Sequence, residues 1–529
     1  GRGERTVYKI PAKALPHRAG SYIRYIRILY SFVVTPEKSE TNAMEGGELI
    51  SDLRKTSNNK HWQWLAVSLL AALGVSMVSW PFLEYTWLSL IPPAVVLGLF
   101  LLLNYEWLLY IGLALVPLST ELDLSGGLSL DFPIELVMIA MSAIFVLLAL
   151  YRLKELPAQK FAHPLAILLL MHVSWMVVSC FFTTDLLISV KFLLAKTWYI
   201  GSFFFLALYL FRREKLQRML NWFFIPLIAT IGVVLVRHAL EGFSFDSVNE
   251  VLNPFYRNHV NYSALLAISF PFLFYSWRMN RFLKMAMVLF FLVAIYFTYT
   301  RAAYIAVVGG MAYFFIVYFK LTKFFVPAAL IAGSIAVFTI VEDNRYLDYA
   351  PDYNKTISHK NFDDLIEATY EFQDVSTMER VYRWVAGFNM IGERPLTGYG
   401  PGGFYEKYRK HTVSSFKTYI STNEERSGIH SYYLMTAVEQ GLPGLLFYLV
   451  FIAATLFYAE ALYHRLKDPT DRKLCLAAVS ALVVIHLFQI INDLVEAHKV
   501  GSMFFLCTAI IVYLDYKSRR VSTESSSGF

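Results

Sequence analysis

Apolar runs of roughly 18–20 residues recur along almost the whole 529-residue chain, and this recurrence fixes what it can fold into. A helix of that length matches the hydrocarbon thickness of a bilayer. Lipid offers the backbone no hydrogen-bond partners, so only helices or closed barrels can span it. Runs this long and uniformly apolar specify helices. Fourteen candidate spans can be marked, at about 63–80, 86–103, 107–119, 133–151, 164–182, 190–211, 221–239, 261–277, 284–300, 302–319, 324–341, 434–459, 474–491 and 499–516. The third is short and the first three can be parsed as two, so the expected class is an all-α polytopic membrane protein with 12–14 transmembrane helices. The composition agrees, at 57% hydrophobic and only 16% charged, too little charge to cover a soluble chain of this length. Cys180, Cys475 and Cys507 lie in or beside apolar runs without CxxC spacing. They are expected as buried thiols, not as a disulfide framework or a zinc site.

Orientation follows from the bias of Lys and Arg in the short loops. One set holds Arg152/Lys154/Lys160, Arg212/Arg213/Lys215/Arg218, Arg278/Arg281/Lys284, Lys320/Lys323, Arg465/Lys467/Arg472/Lys473 and Lys517/Arg519/Arg520. The alternate set holds Glu121/Asp123/Asp131, Asp185, Glu241/Asp246/Glu250 and Asp493/Glu496. The first set is expected in the cytoplasm and the second outside. The chain then divides into a basic cytoplasmic segment 1–60, helices over 61–341, an outward loop 342–433, helices over 434–516 and a cytoplasmic tail 517–529. Residues 1–43 precede Met44 and read as an upstream extension. In a double-membraned bacterium the chain lies in the inner membrane and the loop faces the periplasm. Nucleotide-activated donors are absent there, so chemistry on that face needs a donor energised and delivered by lipid.

Several cationic or imidazole groups sit at outward span ends, against the usual bias: Lys191, Lys196, Arg237, His238, Arg257, His259 and Arg301. Snorkelling to headgroups accounts for such residues in general; a substrate or ion pathway is the alternative. Arg301 favours the second, because it falls between two apolar runs with no acid beside it in sequence. In span 474–491 and beyond, His486, Gln489, Asp493 and Glu496 follow three- and four-residue spacing and form one polar stripe. Interhelical hydrogen bonding is its ordinary explanation.

The outward loop is the one long polar stretch in the chain. Ser376-x-x-Glu379 reads as a capping box that starts a helix near Thr377. Its apolar face would hold Val381, Trp384, Val385 and Phe388, and it would stop before Arg394-Pro395. Arg380 and Arg383 project together, as a solvated pair or as a clamp for phosphate oxygens. Gly398-Tyr399-Gly400-Pro401-Gly402-Gly403 lacks the Gly-Lys-Ser/Thr ending of a phosphate-binding loop; it reads as a sharp turn at the membrane. His430, just before the next span, has the ordinary pKa range of a general base. No acidic pair recurs at metal-ligand spacing, and arginines can hold a departing diphosphate without a metal. Metal independence is therefore expected.

Four segments together resemble the O-antigen ligase and polymerase superfamily of bacterial membrane glycosyltransferases. They are Thr300-Arg301-Ala302-Ala303, the Arg380 to Trp384 spacing with Arg394 to Phe404 after it, His430-Ser431-Tyr432-Tyr433-Leu434, and Glu439-Gln440-Gly441-Leu442-Pro443-Gly444. They cover roughly residues 250–450. Ser431 departs from the family pattern, which usually has Asn there. The resemblance implies an inverting, metal-independent transfer with no cofactor and no nucleic-acid partner. The donor would be a glycan on undecaprenyl diphosphate. His430 would deprotonate or orient an acceptor hydroxyl. Arg301 and Arg257, with Arg380 or Arg383, would hold the diphosphate, and His259 and Lys196 would join them in the substrate site. The acceptor would be a lipid A-core sugar (a ligase), another repeat unit (a polymerase) or a protein hydroxyl (a protein O-oligosaccharyltransferase). A non-catalytic polysaccharide exporter or flippase is the alternative from another class. It predicts two pseudo-symmetric halves, and the sequence holds no internal repeat.

Overall fold

The apolar runs close into helices wherever the chain can be followed. A computed structural model describes residues 67–76, 104–124, 128–151, 158–183, 185–276, 279–342, 375–413 and 428–526, with isolated positions at 156 and between 92 and 101. The chain divides into two compact units, 1–100 and 101–529. In the first, the described helix is α1 (Val67–Ser76), short and apolar.

The second unit opens with α2 (Glu106–Leu118), a hairpin of β1 (Thr120–Leu124) and β2 (Leu128–Phe132), then α3 (Ile134–Tyr151) and the short α4 (Ala158–Phe161). The hairpin is antiparallel, pairing Thr120 with Phe132 and Leu124 with Leu128. Next come α5 (Pro164–Cys180), α6 (Leu186–Leu210), which passes through a π-helical stretch at Ile200–Leu206, and α7 (Arg213–Leu240). Helices α8 (His259–Pro271), α9 (Arg281–Tyr296), α10 (Arg301–Tyr318) and α11 (Thr322–Val341) follow. The polar segment contributes α12 (Val375–Glu393) and the one-turn α13 (Phe404–Lys407). The chain then forms α14 (Tyr432–Arg465), α15 (Pro469–Ile491) and α16 (His498–Ser526).

Among the described residues, eight helices are long and apolar enough to cross a membrane. The fold is an all-α polytopic membrane protein. Twelve of the expected spans coincide with α2, α3, α5 to α11 and α14 to α16, within a few residues at most ends. Of the other two, 63–80 is described only over α1, and 86–103 lies outside the described residues apart from isolated positions.

Helix starts are set by side chains that the sequence supplies. Asn258, Asn280, Ser431 and Asp468 precede α8, α9, α14 and α15, and each accepts a backbone N–H from two or three residues on. This satisfies one of the donors that a helix N-terminus leaves open. For Ser431 the partner is Leu434 N at 3.5 Å. Capping is a role that Asn fills equally well, which accounts for the departure from the family pattern at this position.

The core lies around α15 and α16. Helix α15 packs against α8, α10, α14 and α16, and 78% of its most apolar window is buried; for α16 the figure is 94%, against 11% for Thr322–Thr339 of α11. Lipid tails are as apolar as leucine, so close packing rather than exclusion from water holds such helices together. The small residues Ala477, Ala478, Ser480 and Ala481 of α15 are fully buried at these contacts. Outward side chains such as Leu147, Leu150, Ile305 and Phe338 are exposed and apolar, as a lipid-facing surface requires.

Candidate functional site

At one end of the bundle α14 begins, α15 ends and α16 begins, and the polar helix α12 packs there against α14. It starts at Val375, two residues ahead of the expected Thr377, and stops at Glu393 as expected. Its buried face is not the one the apolar spacing suggested. Met378, Tyr382, Val385, Ala386 and Met390 are buried, and so are Glu379 and Arg383, at 3% and 4% exposure. Val381, Trp384 and Phe388 are only half-buried. The reason is charge pairing. Arg383 Nη2 donates to Glu379 Oε2 at 3.4 Å one turn earlier, so the guanidinium enters the interior with its counter-charge.

Arg383 then reaches the segment before α14. Its Nη1 donates to the Gly428 carbonyl at 2.9 Å and to His430 Nε2 at 2.8 Å. His430 holds a left-handed backbone at φ 58°, sparsely populated by non-glycine residues. Arg380 is half-buried and donates from Nε to the Ile491 carbonyl at 3.2 Å, tying α12 to the end of α15. Burial first, then Arg380 and Arg383, push the His430 imidazole from its usual range down to about 3. His430 is therefore neutral at physiological pH.

Two residues just past the end of α15 complete the cluster, the second of them from the polar stripe. Asn492 accepts the Tyr432 N–H at 3.1 Å. Asp493 packs against Gly428, where a Cβ would collide with its carboxylate. Burial raises the Asp493 carboxyl above its usual range, with Arg383 and Arg380 acting in the opposite sense. Among the described residues, Arg383 Nε, Trp384 Nε1 and Asn492 Nδ2 are buried donors without a hydrogen-bond partner. Such donors are costly unless a ligand or water meets them. The upper stripe behaves as interhelical glue: Gln489 Oε1 accepts from the Tyr448 hydroxyl at 2.6 Å and lies 3.1 Å from His486 Nδ1.

The other sequence candidates divide. His259 opens α8, with Nδ1 2.9 Å from Asn249 Oδ1, and the charge of Arg380 reaches it as it reaches His430. Arg301 is the first residue of α10. It adjoins Thr300, whose hydroxyl donates to the His259 carbonyl at 3.5 Å. Arg257 is exposed and pairs with Glu121 of the hairpin at 3.2 Å. Lys196 is not open to a ligand: 4% exposed, it binds Glu496 at 2.6 Å and the Tyr432 hydroxyl at 3.2 Å. Its role here is to tie α6 to the segment before α16. A second histidine cluster is equally closed. His498 lies 2.6 Å from both Asp131 and the Ser119 hydroxyl, a nucleophile-like order. Ser119 is fully buried, so the trio clamps the hairpin onto α16.

The glycine-rich turn has a structural task. Helix α14 breaks at Gly441 (φ 71°, ψ 178°), and residues 395–403 thread into the break. Tyr399 N and Gly400 N donate to Val438 and Glu439 carbonyls at 3.0 and 2.8 Å, and Leu442 N donates to the Pro395 carbonyl at 2.7 Å. Gly398 also has positive φ, and a Cβ there would lie 2.5 Å from the Glu439 carbonyl group. The buried Glu439 side chain accepts from Phe404 N at 3.5 Å. The turn thus anchors the C-terminal end of the polar segment in α14, ten residues beyond His430.

A bundle of membrane helices with a histidine and two arginines set at one end defines a polytopic membrane protein with a cationic cluster around that histidine. Residues 286–449 match the family model described as O-Antigen ligase, in line with the O-antigen ligase and polymerase superfamily that the four sequence segments resemble. The match runs from α9 into α14 and so takes in Arg301, Arg380, Arg383 and His430. No curated protein matches the chain.

Proposed function

We propose that the chain is an O-antigen ligase-like glycosyltransferase of the bacterial inner membrane. It would move a glycan from undecaprenyl diphosphate to an acceptor hydroxyl, first of all on a lipid A-core sugar, at the periplasmic face. The observation that carries this reading is the Arg383–His430 contact, with buried unsatisfied donors beside it. In the transfer the acceptor oxygen attacks the anomeric carbon from the face opposite the diphosphate. The bond from carbon to the diphosphate oxygen breaks, and the leaving group takes the electron pair. The hydroxyl proton passes to His430 Nε2. Arg380 and Arg383, with Arg301 and Arg257, would stabilise the charge that develops on the diphosphate.

The resting geometry suits an enzyme that waits for its donor. Arg383 occupies the lone pair of Nε2, and burial together with two guanidiniums holds the imidazole neutral but weakly basic. A diphosphate offers those guanidiniums a stronger acceptor. As it binds, Nε2 is released and the proton affinity of His430 rises toward the range useful for a base.

The test is a transfer assay in detergent with a fluorescent undecaprenyl-diphosphate glycan and one acceptor at a time: lipid A-core, a second repeat unit or a Ser/Thr peptide. Transfer to lipid A-core supports the ligase reading. Transfer only to one of the others moves the chain to a polymerase or a protein O-oligosaccharyltransferase. No transfer to any of them leaves a transporter as the better account.

A further inference from the structure

The left-handed backbone of His430, at φ 58°, is one that a non-glycine residue keeps only where its surroundings over-determine it. Here they grip it from both sides. Upstream, Arg383 Nη1 donates to the Gly428 carbonyl at 2.9 Å. Downstream, the Ser431 hydroxyl accepts Leu434 N at 3.5 Å, and Tyr432 N donates to the Asn492 carbonyl at 3.1 Å. That last bond joins the start of α14 to the end of α15. Whatever fixes Tyr432 against the turn between α15 and α16 therefore also fixes the histidine two residues before it.

Lys196 supplies that grip. It reaches in from α6 and is 4% exposed. Its ammonium donates to the Tyr432 hydroxyl at 3.2 Å and to Glu496 Oε1 at 2.6 Å. It also lies 5.4 Å from the centre of the Tyr432 ring, within cation–π range. One turn further along α6, the Tyr199 hydroxyl donates to the Glu496 carbonyl at 3.2 Å. The π-helical stretch begins at the next residue, Ile200, and such stretches are frequent at functional sites. An ion pair between membrane helices is ordinarily glue. This one does more, because a single ammonium holds both segments that build the site. Tyr432 is two residues from His430, and Glu496 is three from Asp493. A lysine buried at membrane depth also needs a task beyond filling space.

We propose that Lys196 is a positioning residue for His430: by holding Tyr432 and Glu496 together it keeps the histidine in its strained backbone, with Nε2 on Arg383. Its effect on transfer rests on the reading of His430 as the base.

The test compares Lys196→Met and Tyr432→Phe with the wild type. Each is prepared as the full chain in lipid with isotopically labelled histidine, and the ring nitrogens are read by solid-state NMR. The His430 signals are identified by their loss in His430→Gln. In the wild type Nε2 should resonate as an unprotonated nitrogen and Nδ1 as a protonated one. In both variants the two should move toward a common average as the ring loses its fixed tautomer. In the transfer assay kcat should fall about 100-fold for Lys196→Met and about tenfold for Tyr432→Phe. KM for the donor should stay unchanged, because geometry rather than binding is lost. Tyr432→Phe keeps the ring and both charges, so it decides the matter even if Lys196→Met fails to fold. Wild-type nitrogen shifts in either variant would overturn the inference, as would a wild-type kcat where His430→Ala is inactive. Full transfer by His430→Ala would instead remove the base, and the nitrogen shifts alone would then decide the positioning.

Discussion

Arg383 Nη1 stands 2.8 Å from His430 Nε2. A guanidinium can only donate, so Nε2 accepts and the imidazole proton sits on Nδ1. One contact thus fixes the tautomer of the proposed base, its orientation and the lone pair that must be released before it can act.

Arg383→Gln should destabilise the fold as well as stop transfer. It leaves the Glu379 carboxylate, 3% exposed, without the cation beside it, and breaking a buried pair from one side costs about 3–5 kcal/mol. The double variant Glu379→Gln/Arg383→Gln should recover most of that stability and none of the activity. Thermal unfolding in detergent beside the transfer assay separates the effects; full activity in the double variant would remove Arg383 from the mechanism.

Stability should fall in acid through His430. Its folded pKa is about 3, below the ordinary value near 6.5, so the unfolded chain binds the proton more readily. The contribution is complete above about pH 6.5 and is lost as pH falls toward 3. Unfolding temperatures measured from pH 7.5 to 4.5 should decline less steeply in His430→Gln than in the wild type. Parallel curves would mean that the imidazole is not held neutral by its surroundings.

Gly441→Ala should unseat the polar segment. The residue sits at φ 71° with the Leu396 carbonyl oxygen against the position a Cβ would take. The backbone strain alone is about 1–3 kcal/mol, before the Leu442 to Pro395 hydrogen bond is disturbed. A lowered unfolding temperature with transfer reduced in step is expected. An unchanged melt would show that the turn does not depend on this break.

Transfer should not depend on a divalent ion, because guanidiniums supply the charge stabilisation. EDTA at millimolar concentration should leave the rate unchanged. Strong inhibition reversed by adding back magnesium or manganese would contradict that account.

The helices were legible because a bilayer-length apolar run admits little else, and their caps, Asn258, Asn280, Ser431 and Asp468, are written locally. The site was legible in part. His430, Arg380, Arg383 and Arg301 stood out because polar groups at membrane boundaries need a reason. Glu379 was read as half of a capping box, although its four-residue spacing to Arg383 also marked a pair. Asn492 was hidden, and Asp493 was read only as part of a polar stripe, because their importance comes from α15 ending beside Gly428, a contact between segments far apart in sequence. Lys196 misled for the same reason: its partner Glu496 lies 300 residues away.

The most direct measurement is the rate of glycan transfer by His430→Ala, purified beside the wild type and checked for an equal melting profile. A general base contributes typically 10²–10⁴-fold, so the account predicts a loss of at least about 100-fold with the lipid-linked donor still bound. Transfer at the wild-type rate would contradict it.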